Sequence, residues 1–231
     1  MPHYNKYFDQ ELQDLKETVL RLGGMVEEQV SNAIQSLMDS NLDLAKSTID
    51  LDHAINKLEV EIDERCIDLL ALRQPMGPDL RFVTTAMKIV DNLERMGDMA
   101  ANICERVIDI AAEPRLKAYL DIPRMADIAK EMLKDSLDAF VTRSTELAQK
   151  VRLKDDMVDA LMDQIFRELL SYMIEDPKAI SRATRIMFIA KYIERVADHA
   201  TNISEMVIYM VEGRIVRHTE PEALNLPDKG E

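Results

Sequence analysis

The chain has 231 residues, 47% of them hydrophobic and 5% aromatic, with six Gly, eight Pro, no Trp and fifteen Met. Leu, Ile, Val, Ala and Met must then fill the core, a palette that suits packed helices better than sheets. The 43 Asp and Glu against 29 Lys and Arg leave a net charge of −14, which repels nucleic-acid backbones and anionic lipid and excludes nucleic acid as an expected partner.

From about Tyr7 to Met38, Met25, Val26, Gln29, Val30, Ala33, Ile34 and Leu37 recur at steps of three and four, the stripe of a first helix. Asp39-Ser40-Asn41 supplies a break and a cap. Leu44, Ile49, Ile55, Leu58, Ile62, Cys66, Leu69 and Leu70 then trace a second helix, which Pro75, Gly77 and Pro78 end. A third pattern runs from about Leu80 to Ala112 with the bundle seam Ala86, Val90, Leu93, Gly97, Ala100, Cys104, Val107 and Ala111. Pro114 to Pro123 is the punctuated interior segment and marks a boundary.

Beyond it the plan repeats. A fourth helix is expected from about Pro123 to Lys150, a fifth from Leu153 to Ile174 and a sixth from Lys178 to Gly213. The seam returns one hundred residues later as Ile186, Ala190, Ile193, Ala197, Ala200, Ser204, Val207 and Val211. At an offset of 103, Asp52, Ile55, Asn56, Leu58 and Ile62 align with Asp155, Val158, Asp159, Leu161 and Ile165. The fold expected is therefore all-α, two tandem three-helix bundles: residues 1–113, residues 114–213, and a polar tail at 214–231. Gly97 inside a helix costs about 1 kcal/mol against Ala, and close contact between the third and sixth helices is the expected reason for it.

Cys66 and Cys104 lie far apart at apolar positions, as reduced core thiols do. No apolar run reaches the roughly 20 residues that span a bilayer, and no signal peptide is seen. A soluble cytoplasmic protein without direct membrane insertion is expected.

The repeat also duplicates a charged stripe. Glu94 to Val107 and Glu194 to Val207 share eight of fourteen residues without a gap. Glu94 and Asp98 stand one turn apart beside the seam, Asn102 continues the row and Glu105 lies a heptad beyond Asp98. Helix six offers Glu194, Asp198, Asn202 and Glu205 in the same places. Like charges at this spacing repel, so something must offset them. Arg95 reaching Asp98, and Arg195 reaching Asp198, would make an ordinary salt-bridged face. A cation held by side-chain oxygens is the alternative, and Mg, Mn, Ca or Fe prefer such donors. Helix two can add Asp52, Asn56, Glu59 and Asp63; the repeat keeps Asp155 and Asp159 but puts Met162 and Phe166 in place of the last two, which ranks Glu59 and Asp63 lower.

His199 points about 100° away from Asp198 and reads as a surface or packing residue. No Glu-x-x-His motif of di-iron bundles occurs, because Gly97 and Ala197 stand three residues after the glutamates. There is no glycine-rich phosphate loop, nucleophile elbow or Ser, His and Asp grouping, so an enzyme is not expected.

The run Leu69-Leu70-Ala71-Leu72-Arg73-Gln74-Pro75-Met76-Gly77-Pro78-Asp79-Leu80-Arg81, then Lys88-Ile89 and Glu94-Arg95-Met96-Gly97-Asp98, resembles the PhoU family of phosphate-transport regulators over nearly the whole chain. The resemblance implies two three-helix bundles, each with an acidic Glu-or-Asp-x-x-x-Asp motif able to hold Fe, Zn, Mn or Mg, singly or as multinuclear clusters. Here the motifs are Glu94 with Asp98 and Glu194 with Asp198. It further implies a cytoplasmic homodimer that links the ATPase subunit of the phosphate ABC transporter to its sensor histidine kinase and so represses the phosphate-starvation response. The second repeat departs from the pattern with Glu175-Asp176-Pro177 where the first has Arg73-Gln74-Pro75-Met76. Metal ligands expected are Glu94, Asp98, Asn102, Glu194, Asp198 and Asn202, with Asp52, Asp155, Asp159, Glu105 and Glu205 behind them. A carboxylate-bridged storage or redox protein and a purely structural helical scaffold are the competing readings.

Overall fold

The computed structural model describes residues 2–116, 119–217 and 219, and the side chains from Lys6 onward within them. The described residues form six α-helices: α1 (Pro2–Asp39), α2 (Leu42–Arg73), α3 (Pro78–Ile110), α4 (Asp121–Thr142), α5 (Thr145–Glu175) and α6 (Ile180–Glu212). A 3-10 turn, Pro177–Ala179, leads into the last.

Local chemistry sets most of the ends. Ser40 takes a left-handed backbone (φ 53°) and Asn41 caps α2, its side-chain oxygen accepting from the Leu44 N–H at 3.0 Å. Gly77 (φ 56°) turns the chain into α3, whose first residue is Pro78, a position where no helical N–H is missed. Gly213 (φ 72°) closes α6.

The fourth helix differs from expectation. It stops at Thr142 rather than Lys150, Arg143 turns left-handed (φ 54°), and Ser144 caps α5 by accepting from the Leu147 N–H at 3.1 Å. This break is the Ser40-Asn41 corner repeated at the offset of 103. It is silent in apolar periodicity because neither glycine nor proline marks it and Ala148 and Val151 continue the buried rhythm.

The helices group as α1, α2 and α3 in one half and α4, α5 and α6 in the other, and one continuous apolar core runs through both. Two pairs of equivalent helices, α3 with α6 and α1 with α4, meet across the middle. α3 and α6 make the most extensive interhelical contact and run antiparallel: Arg81 Nε donates to Met210 O at 3.1 Å, and Asn92 meets His199 further along. α1 and α4 cross at Gly23, where a Cβ would sit 2.3 Å from Leu137 Cδ1, so a side chain there would have to push the end of Leu137 aside.

Gly97 has a different neighbour from the one anticipated. A Cβ there would meet Gln29 Oε1 at 3.0 Å, Ile55 Cγ2 at 3.4 Å and Asp52 Oδ1 at 3.5 Å, so the missing side chain makes room for α1 and α2, not α6. The segment after α6 also departs from the polar tail expected for 214–231. Val216 is buried in the core, and the buried Arg152 guanidinium donates to the carbonyls of Val216 at 3.4 Å and Thr219 at 2.5 Å. Residue 218 and residues 220–231 lie outside the described residues. Cys66 and Cys104 are buried free thiols, and burial pushes them up to about 12 and about 11.

Candidate metal centre

Amphipathic periodicity brings the carboxylates together. With Leu93, Met96, Gly97 and Ala100 buried, the α3 residues one step round, Glu94 and Asp98, lie half-buried along the groove against α2. α2 buries Ile55, Leu58 and Ile62, which turns Asp52, Glu59 and Asp63 toward the same groove.

The electrostatics show how close these groups are. The Glu94 carboxyl is raised above its ordinary range by burial, then by Asp98 and Glu59. Asp98 is raised by burial and by Asp52, Glu59 by burial and by Asp63 and Asp91, and Asp63 by burial and by Asp91. Arg95 does not occupy the gap between Glu94 and Asp98; it pairs back along its own helix with Asp91 at 3.3 Å, on the exposed side. The salt-bridged face expected from Arg95 and Asp98 is therefore replaced by an Arg95–Asp91 pair, because the i−4 partner lies on the outward face the guanidinium prefers. Asn56 Nδ2 donates to Asp52 Oδ2 at 3.0 Å, leaving Asp52 Oδ1 and Asn56 Oδ1 buried without a hydrogen-bond partner among the described residues.

The second groove, between α5 and α6, holds Asp155, Asp159, Glu194 and Asp198. Burial, then Asp198 and Asp159, push Asp155 up to about 6, while the nearby Thr201 hydroxyl, which has no hydrogen-bond partner among the described residues, acts in the opposite direction. Asp198 and Asp159 stand at the exposed rim of this groove, and the packed helices beside them still strip enough water to raise both carboxyls, Asp198 with help from Glu194 and Asp159, and Asp159 with help from Glu194 and Asp156. Lys191 stands where the first repeat has Asp91, and it ion-pairs with Glu194. One substitution thus gives the second groove a resident cation that the first lacks.

The remaining expected ligands are placed elsewhere. Asn102 spends its amide N–H on the Asp98 backbone carbonyl at 2.8 Å. Asn202 opens the other way, onto a cavity between α3 and α6 that it lines with Asn92, Arg95 and His199. Glu105 is exposed and paired with Arg106 at 3.3 Å. Glu205 is drawn off by Arg152, 3.6 Å away, with the two side chains 12% and 4% exposed. Both glutamates sit a full heptad past the aspartate, on nearly the same face but about 10 Å further along the helix axis, where basic side chains and not the groove carboxylates are their partners.

His199 is the packing residue expected. Its Nδ1 lies 2.9 Å from Asn92 Oδ1, and Asn92 Nδ2 donates to Lys88 O at 2.7 Å, so the oxygen faces the ring and the proton sits on Nδ1. Burial, then Arg195 and Arg95, push the imidazole down to about 4 and keep it neutral.

Glu59 and Asp63 rank low on sequence because the repeat replaces them with Met162 and Phe166, yet they belong to the first groove. Gln29 and Thr201 are not among the site residues expected from the sequence. Gln29 reads as one polar interruption of an apolar stripe, and Thr201, three residues after Asp198, carries no charge to draw attention. Among the described residues no three His, Cys, Asp or Glu side chains already converge to enclose an ion. The donor set is nonetheless chemically selective. Orphaned buried oxygens and repelling carboxylates, with no His or Cys among them, fit hard cations such as Mg2+, Mn2+ or Fe better than Zn2+.

Comparison with known proteins agrees with this duplicated architecture. The PhoU domain matches the chain twice, at residues 19–107 and 122–207. A phosphate-specific transport system accessory protein PhoU homolog of Aquifex aeolicus is 46% identical over 221 residues, 96% of this chain and 98% of that protein. The phosphate-specific transport system accessory protein PhoU of Escherichia coli K12 is 35% identical over 223 residues, 96% of this chain and 92% of that protein. The crystal structure of PhoU from Pseudomonas aeruginosa superposes with a TM-score of 0.86 at 39% identity, covering 90% of this chain and 100% of that one. With both domain copies present and similarity along nearly its whole length, the chain belongs to the PhoU family.

Proposed function

We propose that this protein is an accessory component of a phosphate-specific transport system and a negative regulator of phosphate uptake and of the phosphate-starvation response. In this reading it is a metal-binding, non-enzymatic adaptor. Its partners are the ATPase subunit of the phosphate ABC transporter and the sensor histidine kinase, which it links at the cytoplasmic side as a homodimer.

The observation that carries the metal-binding reading is the pair of grooves in which carboxylates gather across two helices, half-buried Asp52 with Glu94 and Asp98 in the first, and half-buried Asp155 and Glu194 with the more exposed Asp159 and Asp198 in the second. A solvated scaffold gains nothing from holding like charges in such positions, whereas a divalent ion turns the repulsion into coordination. The adaptor reading is supported by the names of the relatives, which describe accessory and regulatory proteins of phosphate transport. No described helix is long and apolar enough to cross a membrane. With a net charge of −14 repelling anionic lipid, protein contacts are the route of recruitment in this reading.

Two measurements test this. Elemental analysis of protein purified without added metal is expected to find stoichiometric metal, lost when Glu94→Ala is combined with Asp98→Ala and the equivalent pair Glu194→Ala and Asp198→Ala. Metal in neither sample would leave a scaffold. Immobilised protein is expected to capture the purified ATPase subunit or the histidine kinase, more strongly when metal-loaded; capture of neither, with and without metal, overturns the adaptor.

A further inference from the structure

Gln29 is fully buried on α1, in the middle of an otherwise apolar stripe. Its Nε2 donates to the Thr48 carbonyl at 3.3 Å, while its Oε1 has no hydrogen-bond partner among the described residues. That oxygen borders the space left by the bare Cα of Gly97: a methyl group there would lie 3.0 Å from it and 3.5 Å from Asp52 Oδ1. Asp52 Oδ1 and Asn56 Oδ1 are likewise buried acceptors without a partner among the described residues. Acceptors from α1 and α2 thus crowd against α3 at Gly97, beside Asp98.

Buried acceptors left without a donor are costly, and repeated acceptors around one space call for a cation or a water to satisfy them together. Amide and carboxylate oxygens are the donors that hard divalent cations prefer. The second half lacks the arrangement. At the repeat offsets Gln29 becomes Met132 and Gly97 becomes Ala197, both buried, so a thioether replaces the amide oxygen and a methyl fills the space.

We propose that Gln29 is an oxygen ligand supplied from α1 that completes the cation site of the first groove with Asp52 and Asp98, so that the first groove binds a hard divalent cation more tightly than the second. This rests on the reading of the grooves as metal sites and adds to it a ligand from α1, so that all three helices of the bundle contribute. Gly97 is there to let that oxygen in.

The test uses the full chain stripped by chelator and titrated with Mn2+, with free Mn2+ read by its EPR signal. Asp155→Asn with Asp198→Asn silences the second groove. In that background Gln29→Met is expected to weaken Mn2+ binding by about 10-fold or more. The same change is expected to raise the melting temperature of the metal-free protein, since it removes an unsatisfied acceptor and copies Met132. Gln29→Glu keeps an oxygen and is expected to bind Mn2+ at least as tightly as the parent. Unchanged affinity in Gln29→Met would mean that water alone satisfies the amide, and a Gln29→Glu variant that loses Mn2+ as Gln29→Met does would equally overturn the assignment. Failure of the wild-type chain to bind Mn2+ at all would instead overturn the reading of both grooves as metal sites.

Discussion

Asp155 shows what the acidic grooves cost when no cation is present. Its carboxyl titrates at about 6 in the folded chain against an ordinary value of 3.8. A raised carboxyl means that the folded state holds its proton where the unfolded chain has released it. The associated stability is therefore complete below about pH 4 and is lost as the pH rises through 6. Metal-free protein should consequently resist urea better at pH 5.5 than at pH 7.5, and Asp155→Asn should recover on the order of 1 kcal/mol at pH 7.5 after allowance for solvent screening. A variant less stable than the parent at pH 7.5 would show that Asp155 is held by favourable partners instead. Glu94, Asp98 and Asp198 shift in the same direction, so adding Mg2+ or Mn2+ should reduce the difference between the two pH values. At 100 times the dissociation constant a bound ion contributes about 2.7 kcal/mol, more than the single carboxylate withdraws.

At the level of whole elements, the corner between α4 and α5 and the strap after α6 are held by single side chains. Ser144→Ala removes the oxygen that accepts from the Leu147 N–H and should cost about 1 kcal/mol, read as a shift of the urea midpoint at constant slope. Arg152 joins three elements, since it neutralises Glu205 in a buried pair, binds Gln149 Oε1 at 2.9 Å and holds the Val216 carbonyl. Arg152→Ala removes the guanidinium from beside the buried Glu205 carboxylate and should cost about 3 kcal/mol. Fast amide exchange should then appear at residues 214–217 while the middle of α5 stays protected. Slow exchange at those amides in the variant would mean that Val216 alone anchors the strap.

The whole molecule is two repeats fused through their seams. Since one core runs from α1 to α6 and α3 packs along α6, the halves should unfold in a single calorimetric transition despite the duplicated sequence. Two resolved transitions would show that the α3–α6 contact is weaker than its extent suggests. Gly23→Val tests the smaller crossing, where even a Cβ overlaps Leu137 Cδ1; overpacking there should cost about 2 kcal/mol and separate α1 from α4. The net charge of −14 acts on this scale as well, favouring capture of cations by the grooves and keeping the chain off anionic lipid unless a protein partner brings it there.

Periodicity by itself determined the helical class, the duplication at offsets of 100 and 103, and the side of each helix on which Glu94, Asp98, Glu194 and Asp198 stand, because those depend only on the 3.6-residue turn and on which residues avoid water. It could not end α4 at Thr142, since a left-handed Arg143 followed by a serine cap leaves the apolar rhythm intact. Which carboxylates are met by a counter-charge was decided only in the folded chain. Arg95 turns back to Asp91, Lys191 reaches Glu194, and Arg152 crosses from α5 to remove Glu205 from the groove. Gly97 illustrates the same division: its small size was legible, but the partner that needs the space, the amide of Gln29 nearly seventy residues away, is set by how α1 lies across α2 and α3. Spacing within one helix fixes direction, whereas contact between helices depends on their crossing, and only tertiary packing sets that.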